Sequence, residues 1–186
     1  MKSTIRKPIA IFFGYLSILN FGVTGNAEEQ EQADAWELVR NFEGDWTGTA
    51  DGQFGKSTVD RTDAFVPDAA YLHEKHISTY PPQDRNPDGE VHEHWSFFSH
   101  DDARQALVLR QFHDERIVNQ FVKNTDLTTQ DVIVFDSESI ENYEQDWSVR
   151  ESYPLISKDE FIEEFYLAAP RKDFELYVST HLERIY

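Results

Sequence analysis

Four of the chain's seven histidines fall in one run, GEVHEHWSFFSHDDARQALVLRQFHDERIVNQFV, which spans residues 89–122. Imidazole titrates near neutral pH, so a pocket histidine can move a proton, and its unprotonated ring nitrogen can hold a metal. His92 and His94 are two residues apart on a predicted strand and therefore share a face. Such a pair chelates zinc or copper when a third ligand joins it, and His73, His76 and His113 are the candidates. His73 and His76, three apart, fall on opposite faces of their strand. His113 precedes the tight turn at Asp114-Glu115, which puts it at a rim. Two orientations of the strand carrying His92 stay open. Burying Val91, Glu93, Trp95 and Phe97 turns the histidines to solvent, and hydrophobic burial favours this. Turning the histidines inward requires Trp95 and Phe97 to be covered from outside.

Other chemistries leave little trace. No nucleophile sits beside a base, no Gly-rich run could cradle a phosphate, and Glu163 and Glu164 face opposite ways, so they form no dyad. Arg110 reads as a structural residue paired with a carboxylate. The sequence has no cysteine, which excludes disulfides, thiol catalysis and Cys-ligated metals. A pocket histidine acting as general base in a cofactor-free hydrolase or isomerase is the enzymatic alternative, with no triad spacing behind it.

The elements that must position these residues are short strands. Alternating runs cover 43–52, 57–66, 70–80, 90–99, 105–113, 116–124, 130–138, 146–156, 160–168 and 173–185. The segments between them, such as GQFGK, PPQDRNPDG, NTDLTT and ENYEQD, hold the Gly, Pro, Asn and Asp that turns require. A short helix capped by Asp34 runs to Arg40, with Trp36 and Val39 on its apolar side. No helical period follows. Even spacing and short turns predict an all-β fold, a ten-stranded antiparallel up-and-down barrel over residues 34–186, and a barrel of this size can keep an internal cavity.

The ends and the charge bound the class of protein. Residues 1–27 carry Lys2, Arg6 and Lys7, then an apolar run from Ile9 to Val23, then small Gly25 and Ala27. That layout predicts a secretory signal peptide and an exported protein, periplasmic or secreted, whose chain starts near Glu28. Residues 28–33, EEQEQA, read as a charged, disordered leader. The whole chain carries a formal net charge of −18, and losing the basic segment makes it more negative. Such a surface repels phosphate, so nucleic acid and anionic membranes are poor partners.

In NFEGDWTGTADG, residues 41–52, Phe42, Gly44, Trp46 and Gly48 follow the F-x-G-x-W-x-G pattern that opens the first barrel strand in calycins. The chain resembles that superfamily over roughly residues 34–186. In layout it is most similar to the nitrobindin-like (fatty-acid-binding-protein-like) heme-binding barrels and their bacterial relatives. GQFGK is a tight turn where a fatty-acid-binding protein has a helical lid, and a lipocalin's disulfide and long C-terminal helix are missing. The resemblance implies that Trp46 stacks on Arg184 of the closing strand at the barrel's closed end. It implies a binding protein rather than an enzyme, with heme or another hydrophobic small molecule as ligand. His92 resembles the family's middle-strand histidine, although His94 stands where an acid is expected. His181 is the late histidine that resembles the proximal iron ligand. The pocket implied contains His92, His94, Trp95, Phe97, His113 and His181, with Trp95 or Phe97 flanking a porphyrin.

Overall fold

The computed structural model describes residues 36–66 and 68–186. The expected signal peptide, 1–27, and the leader, 28–33, lie outside the described residues. A short helix, α1, occupies residues 36–40. Ten strands follow: β1 (Gly44–Gly52), β2 (Gly55–Val66), β3 (Tyr71–Tyr80), β4 (Glu90–Asp101), β5 (Ala106–His113), β6 (Val118–Lys123), β7 (Val132–Glu141), β8 (Ser148–Ser157), β9 (Glu160–Ala168) and β10 (Glu175–Arg184). They match the ten runs read from turn residues and alternation. Each strand pairs antiparallel with its neighbours in sequence, and β1 pairs with β10 to close the barrel. Closure removes every sheet edge.

Strand β2 shows how alternation sorts the chain. Ser57, Val59, Arg61 and Asp63 are buried, while Lys56, Thr58, Asp60 and Thr62 between them are exposed. The buried set includes a charge pair on the same face as Val59. A buried ionisable residue on the same face as an apolar one recurs on β3 with Glu74, β8 with Glu151 and β9 with Glu163.

One end of the barrel is plugged by aromatic side chains. Phe42, Trp46, Phe98, Phe135, Tyr153 and Phe161 are all buried there in one cluster. Trp46 meets Phe161 edge to face at 4.7 Å and donates its indole N–H to the Phe42 carbonyl at 2.7 Å. Outside this plug, the Arg184 guanidinium lies 4.0 Å from the Trp46 ring. It donates to the carbonyls of Asn41 at 2.8 Å, Lys158 at 3.0 Å and Glu43 at 2.5 Å. This combines a cation–π contact with helix-to-strand and strand-to-strand stapling. The glycines of the F-x-G-x-W-x-G run have a steric reason. A Cβ at Gly44, whose φ is +137°, would lie 2.3 Å from Arg184 Nη1, and one at Gly48 would lie 2.0 Å from the His181 carbonyl oxygen. Only glycine lets Arg184 and β10 approach this closely.

Candidate functional site

Above the aromatic plug the barrel interior turns ionic. Arg61 is fully buried, with its guanidinium 5.1–5.8 Å from the rings of Phe161, Phe42 and Tyr153. Its Nε and Nη2 donate to both oxygens of Asp63 at 2.7 and 3.0 Å, and Nη1 donates to Glu163 at 2.9 Å. Glu74 lies 3.5 Å from the same Nη1. Three strands, β2, β3 and β9, therefore send carboxylates to one buried cation. The bidentate fork and the surrounding rings hold Arg61 in one place.

Next come the imidazoles. His76 Nδ1 sits 3.5 Å from Glu163 and 3.7 Å from Glu74, and its Nε2 is 3.1 Å from Ser78 Oγ. Burial alone would depress His76, but the charges and hydrogen bonds of Glu163 and Glu74 outweigh it and raise the ring to about 9. His94 stacks on His76 at 4.5 Å and places Nε2 3.2 Å from Glu74 Oε1. Burial and the positive charge of His76 push His94 below its ordinary value. His113 is pushed down to about 3 by burial and by the neighbouring His94 and His92. A cationic imidazole thus lies deep, with neutral ones between it and the mouth.

Glu151 and Asn119 complete the polar wall. Gln111 donates to Glu151 Oε1 at 2.8 Å, and Asn119 Nδ2 is 3.1 Å from His113 Nε2. Burial, reinforced by the charge of Glu163, raises Glu151 well above the usual carboxylate range. This favours its protonated form, which can donate a hydrogen bond. Among the described residues, Glu151 Oε2 and Asn119 Oδ1 are buried without a partner. Buried polar atoms left in this state are costly unless a ligand or water meets them.

These groups face a cavity of about 280 Å³. Ile117, Ile140, Val149, Phe165, Leu167 and Val178 supply its apolar lining, several from the same strands as the polar groups. Phe54, Tyr143 and Tyr177 stand around it with Glu90, His92 and Glu115. Ligand pockets commonly combine such an apolar body with a few fixed polar groups.

The placement of the expected residues follows from strand parity. His92, His94 and His113 line the cavity. Trp95 and Phe97 do not: both lie on the outer face of β4, where Phe97 meets Phe112 and His73 packs against both. His181 is also outside, with its side chain about half exposed and Nε2 2.7 Å from Glu160. On β10 the residues turned inward are Val178, Thr180 and Leu182, so the proximal iron ligand implied by the resemblance points away from the cavity. Arg110 donates to Gln120 Oε1 and Ser99 Oγ, both at 3.1 Å, rather than to a carboxylate. The orientation that hydrophobic burial favoured for β4 is reversed. Phe98 fills the plug from the histidine face, and the cross-strand pairs Leu72↔Phe98 and His76↔His94 lock that parity.

Sequence reasoning missed the ionic layer of Arg61, Asp63, Glu74, Glu151 and Glu163. A signal was present: each charged residue shares its parity with apolar neighbours, as Glu74 does with Leu72 and Glu163 with Phe161. His76 makes that layer testable by pH. A protonated His76 stabilises the fold fully below about 6.5, its ordinary value, and the contribution fades as pH rises through about 9. We expect a loss of about 3 kcal/mol across that window. Urea unfolding at pH 6.5 and 9.5 should show the drop in the wild type and little of it in His76→Gln. A wild-type midpoint that is flat across the window would contradict a charged His76.

Comparison with known proteins adds the fold. No protein-family model matches the chain, and no curated protein sequence matches it. Among solved structures, the crystal structure of Rv2717c from M. tuberculosis aligns with 17% identity over 82% of this chain and 98% of that chain, with a TM-score of 0.61. The likeness shows a common barrel fold. A redesigned beta barrel aligns with 13% identity over 80% of this chain and 96% of its own, at a TM-score of 0.42.

Proposed function

We propose that this protein is an exported carrier or receptor for a compact small molecule held inside the barrel. The observation behind this reading is the cavity of about 280 Å³, whose lining combines apolar side chains with buried hydrogen-bonding groups. A ligand with an apolar body would lie against Phe165, Leu167 and Val178. Its polar head would meet the histidines and the unpartnered oxygens of Glu151 and Asn119. The reading includes membership of the calycins, with the nitrobindin-like barrels nearest in layout, supported by the stack of Arg184 on Trp46. The residues present do not fit heme as the resemblance implies it, because β10 turns no imidazole inward and His181 is held outside by Glu160. A hydrophobic molecule smaller than a porphyrin suits the cavity better. The strongly acidic surface disfavours nucleic acid and anionic membranes as partners.

The fluorescent probe 1-anilinonaphthalene-8-sulfonate tests the pocket, alongside native mass spectrometry of protein from its own host for a retained ligand. We expect saturable probe binding at one site. Val178→Trp should fill the cavity and weaken the probe by at least about tenfold, while its unfolding midpoint stays close to wild type. His181→Ala, on the outer face, should bind as the wild type does. Equal binding by Val178→Trp would place the probe elsewhere and sink the internal-pocket reading.

A further inference from the structure

We propose that His92, His94 and His113 form a three-histidine centre for one divalent transition-metal ion of the zinc class, with its open coordination position facing the cavity. The topology brings them together. His94 and His113 are direct cross-strand partners on β4 and β5, and His92 lies two residues along the same inward face. One ring nitrogen from each lies within 4.8 Å of those of the other two. His92 Nε2 and His113 Nδ1 are already 3.5 Å apart. A tetrahedral zinc with nitrogen ligands at its usual bond length separates two of them by about 3.3 Å. Small side-chain rotations would therefore complete the site.

The outer partners point the same way. A metal-bound imidazole usually donates its other N–H to a carboxylate or carbonyl group, which fixes the ring and its tautomer. His92 and His94 each have a carboxylate, and His113 a side-chain amide, on the nitrogen turned away from the cluster. His92 Nδ1 is 2.7 Å from Glu115 Oε1 and 3.1 Å from Asp114 Oδ1. His94 Nε2 is 3.2 Å from Glu74 Oε1, which leaves Nδ1 as its free ligand atom. His113 Nε2 is 3.1 Å from Asn119 Nδ2, and the amide oxygen of the same residue has no partner among the described residues. Turning that amide over would let Asn119 Oδ1 accept the His113 Nε2–H. That rotation would give the buried oxygen a partner and orient a ligand, in exchange for the 3.4 Å donation from Asn119 Nδ2 to Gln111 Oε1.

Ligand type selects the ion. Three imidazoles suit zinc, copper and nickel, whereas magnesium and calcium need oxygen ligands. The cluster supplies three protein ligands, so a fourth position remains for water or for the head of a molecule in the cavity. The metal centre stands on the histidine geometry and does not require the organic ligand. The two readings therefore succeed or fail separately.

The test uses chelator-treated full-length protein titrated with Co²⁺, followed by displacement with Zn²⁺. Expected results are one ion per chain and the intense visible absorption of four-coordinate cobalt, lost on adding zinc. His92→Ala and His113→Ala should each weaken zinc binding by more than the 10–100-fold that loss of an outer partner typically costs. His92 is at the mouth, so its variant should stay folded, as its unfolding midpoint will report. His73→Ala and His181→Ala, both on the outer surface, should bind zinc like the wild type. Weak octahedral cobalt absorption, a ratio other than one, or affinity indifferent to His92 and His113 would overturn the proposal. Binding of the anilinonaphthalene probe with no metal affinity would keep the pocket and remove the metal.

Discussion

Replacing Arg61 with Met is expected to cost about 3–5 kcal/mol at neutral pH, a large share of a typical domain's stability. The methionine fills much of the same volume and keeps contact with Phe42, Phe161 and Tyr153. What it removes is the only cation bonded to Asp63 among the described residues, and one of the two, with His76, that sit beside Glu163 and Glu74. Those carboxylates stay out of water and lose their compensation, and that desolvation sets the size of the effect. The cost should shrink in acid, as the stranded carboxylates take up protons. It should also shrink when the charges leave with the arginine: the triple variant Arg61→Met, Asp63→Asn, Glu163→Gln should recover part of the loss. Urea denaturation of the single and triple variants at pH 7 and pH 5 measures all three points. A single-variant loss below about 1 kcal/mol would mean that the ionic layer is not tightly paired.

A similar cost, about 3–5 kcal/mol, is expected for Trp46→Ala in the aromatic plug. The indole is almost fully buried, packs on Phe161, and satisfies the Phe42 carbonyl. Alanine leaves a cavity lined by rigid aromatic rings, which cannot collapse into it easily. Trp46→Phe should cost less, because it keeps much of the packing and loses chiefly the hydrogen bond to Phe42 and part of the stack under Arg184. Combining Trp46→Ala with Arg184→Ala isolates that stack: a coupling of about 0.5–2 kcal/mol is expected from a cation over an indole. Additive losses would mean that Arg184 acts through the carbonyls of Asn41, Glu43 and Lys158 and its ion pair with Asp159. The pocket lies toward the other end, so probe affinity should be unchanged wherever the Trp46 variant is folded.

Much of the scaffold was legible in the residues. Turn signals at GQFGK, NTDLTT and ENYEQD divided the chain at the points where the strands end. Alternation identified His92 and His94 as neighbours on one face, and His73 as facing away from His76. The candidate site was legible only in part. His92, His94 and His113 were among the expected pocket residues and do line the cavity. Trp95, Phe97 and His181 were expected with them and lie outside. Strand β4 is apolar on both faces, with Phe98 on one and Trp95 and Phe97 on the other. Local burial arguments then choose the face with more aromatic area. In the barrel, Trp95 and Phe97 instead share an outer patch with Phe112 and His73, and that partial cover is enough.

The sequence by itself determined the number of strands, their antiparallel order, the glycine–tryptophan opening of β1 and the strong negative charge. These properties are local or additive: a turn residue acts on its own dihedrals, and charge is a sum over residues. Only the tertiary structure decided which face of each strand is inside and which distant groups meet there. Arg61 and Glu163 are 102 residues apart, and Gln111 and Glu151 are 40 apart. Alternation says which residues share a face but not which face is buried. That choice is made when ten strands close and one register must serve all of them. Closure turned a charged residue on each of several unremarkable strands into one buried ionic layer, and set three separate histidines around a single point.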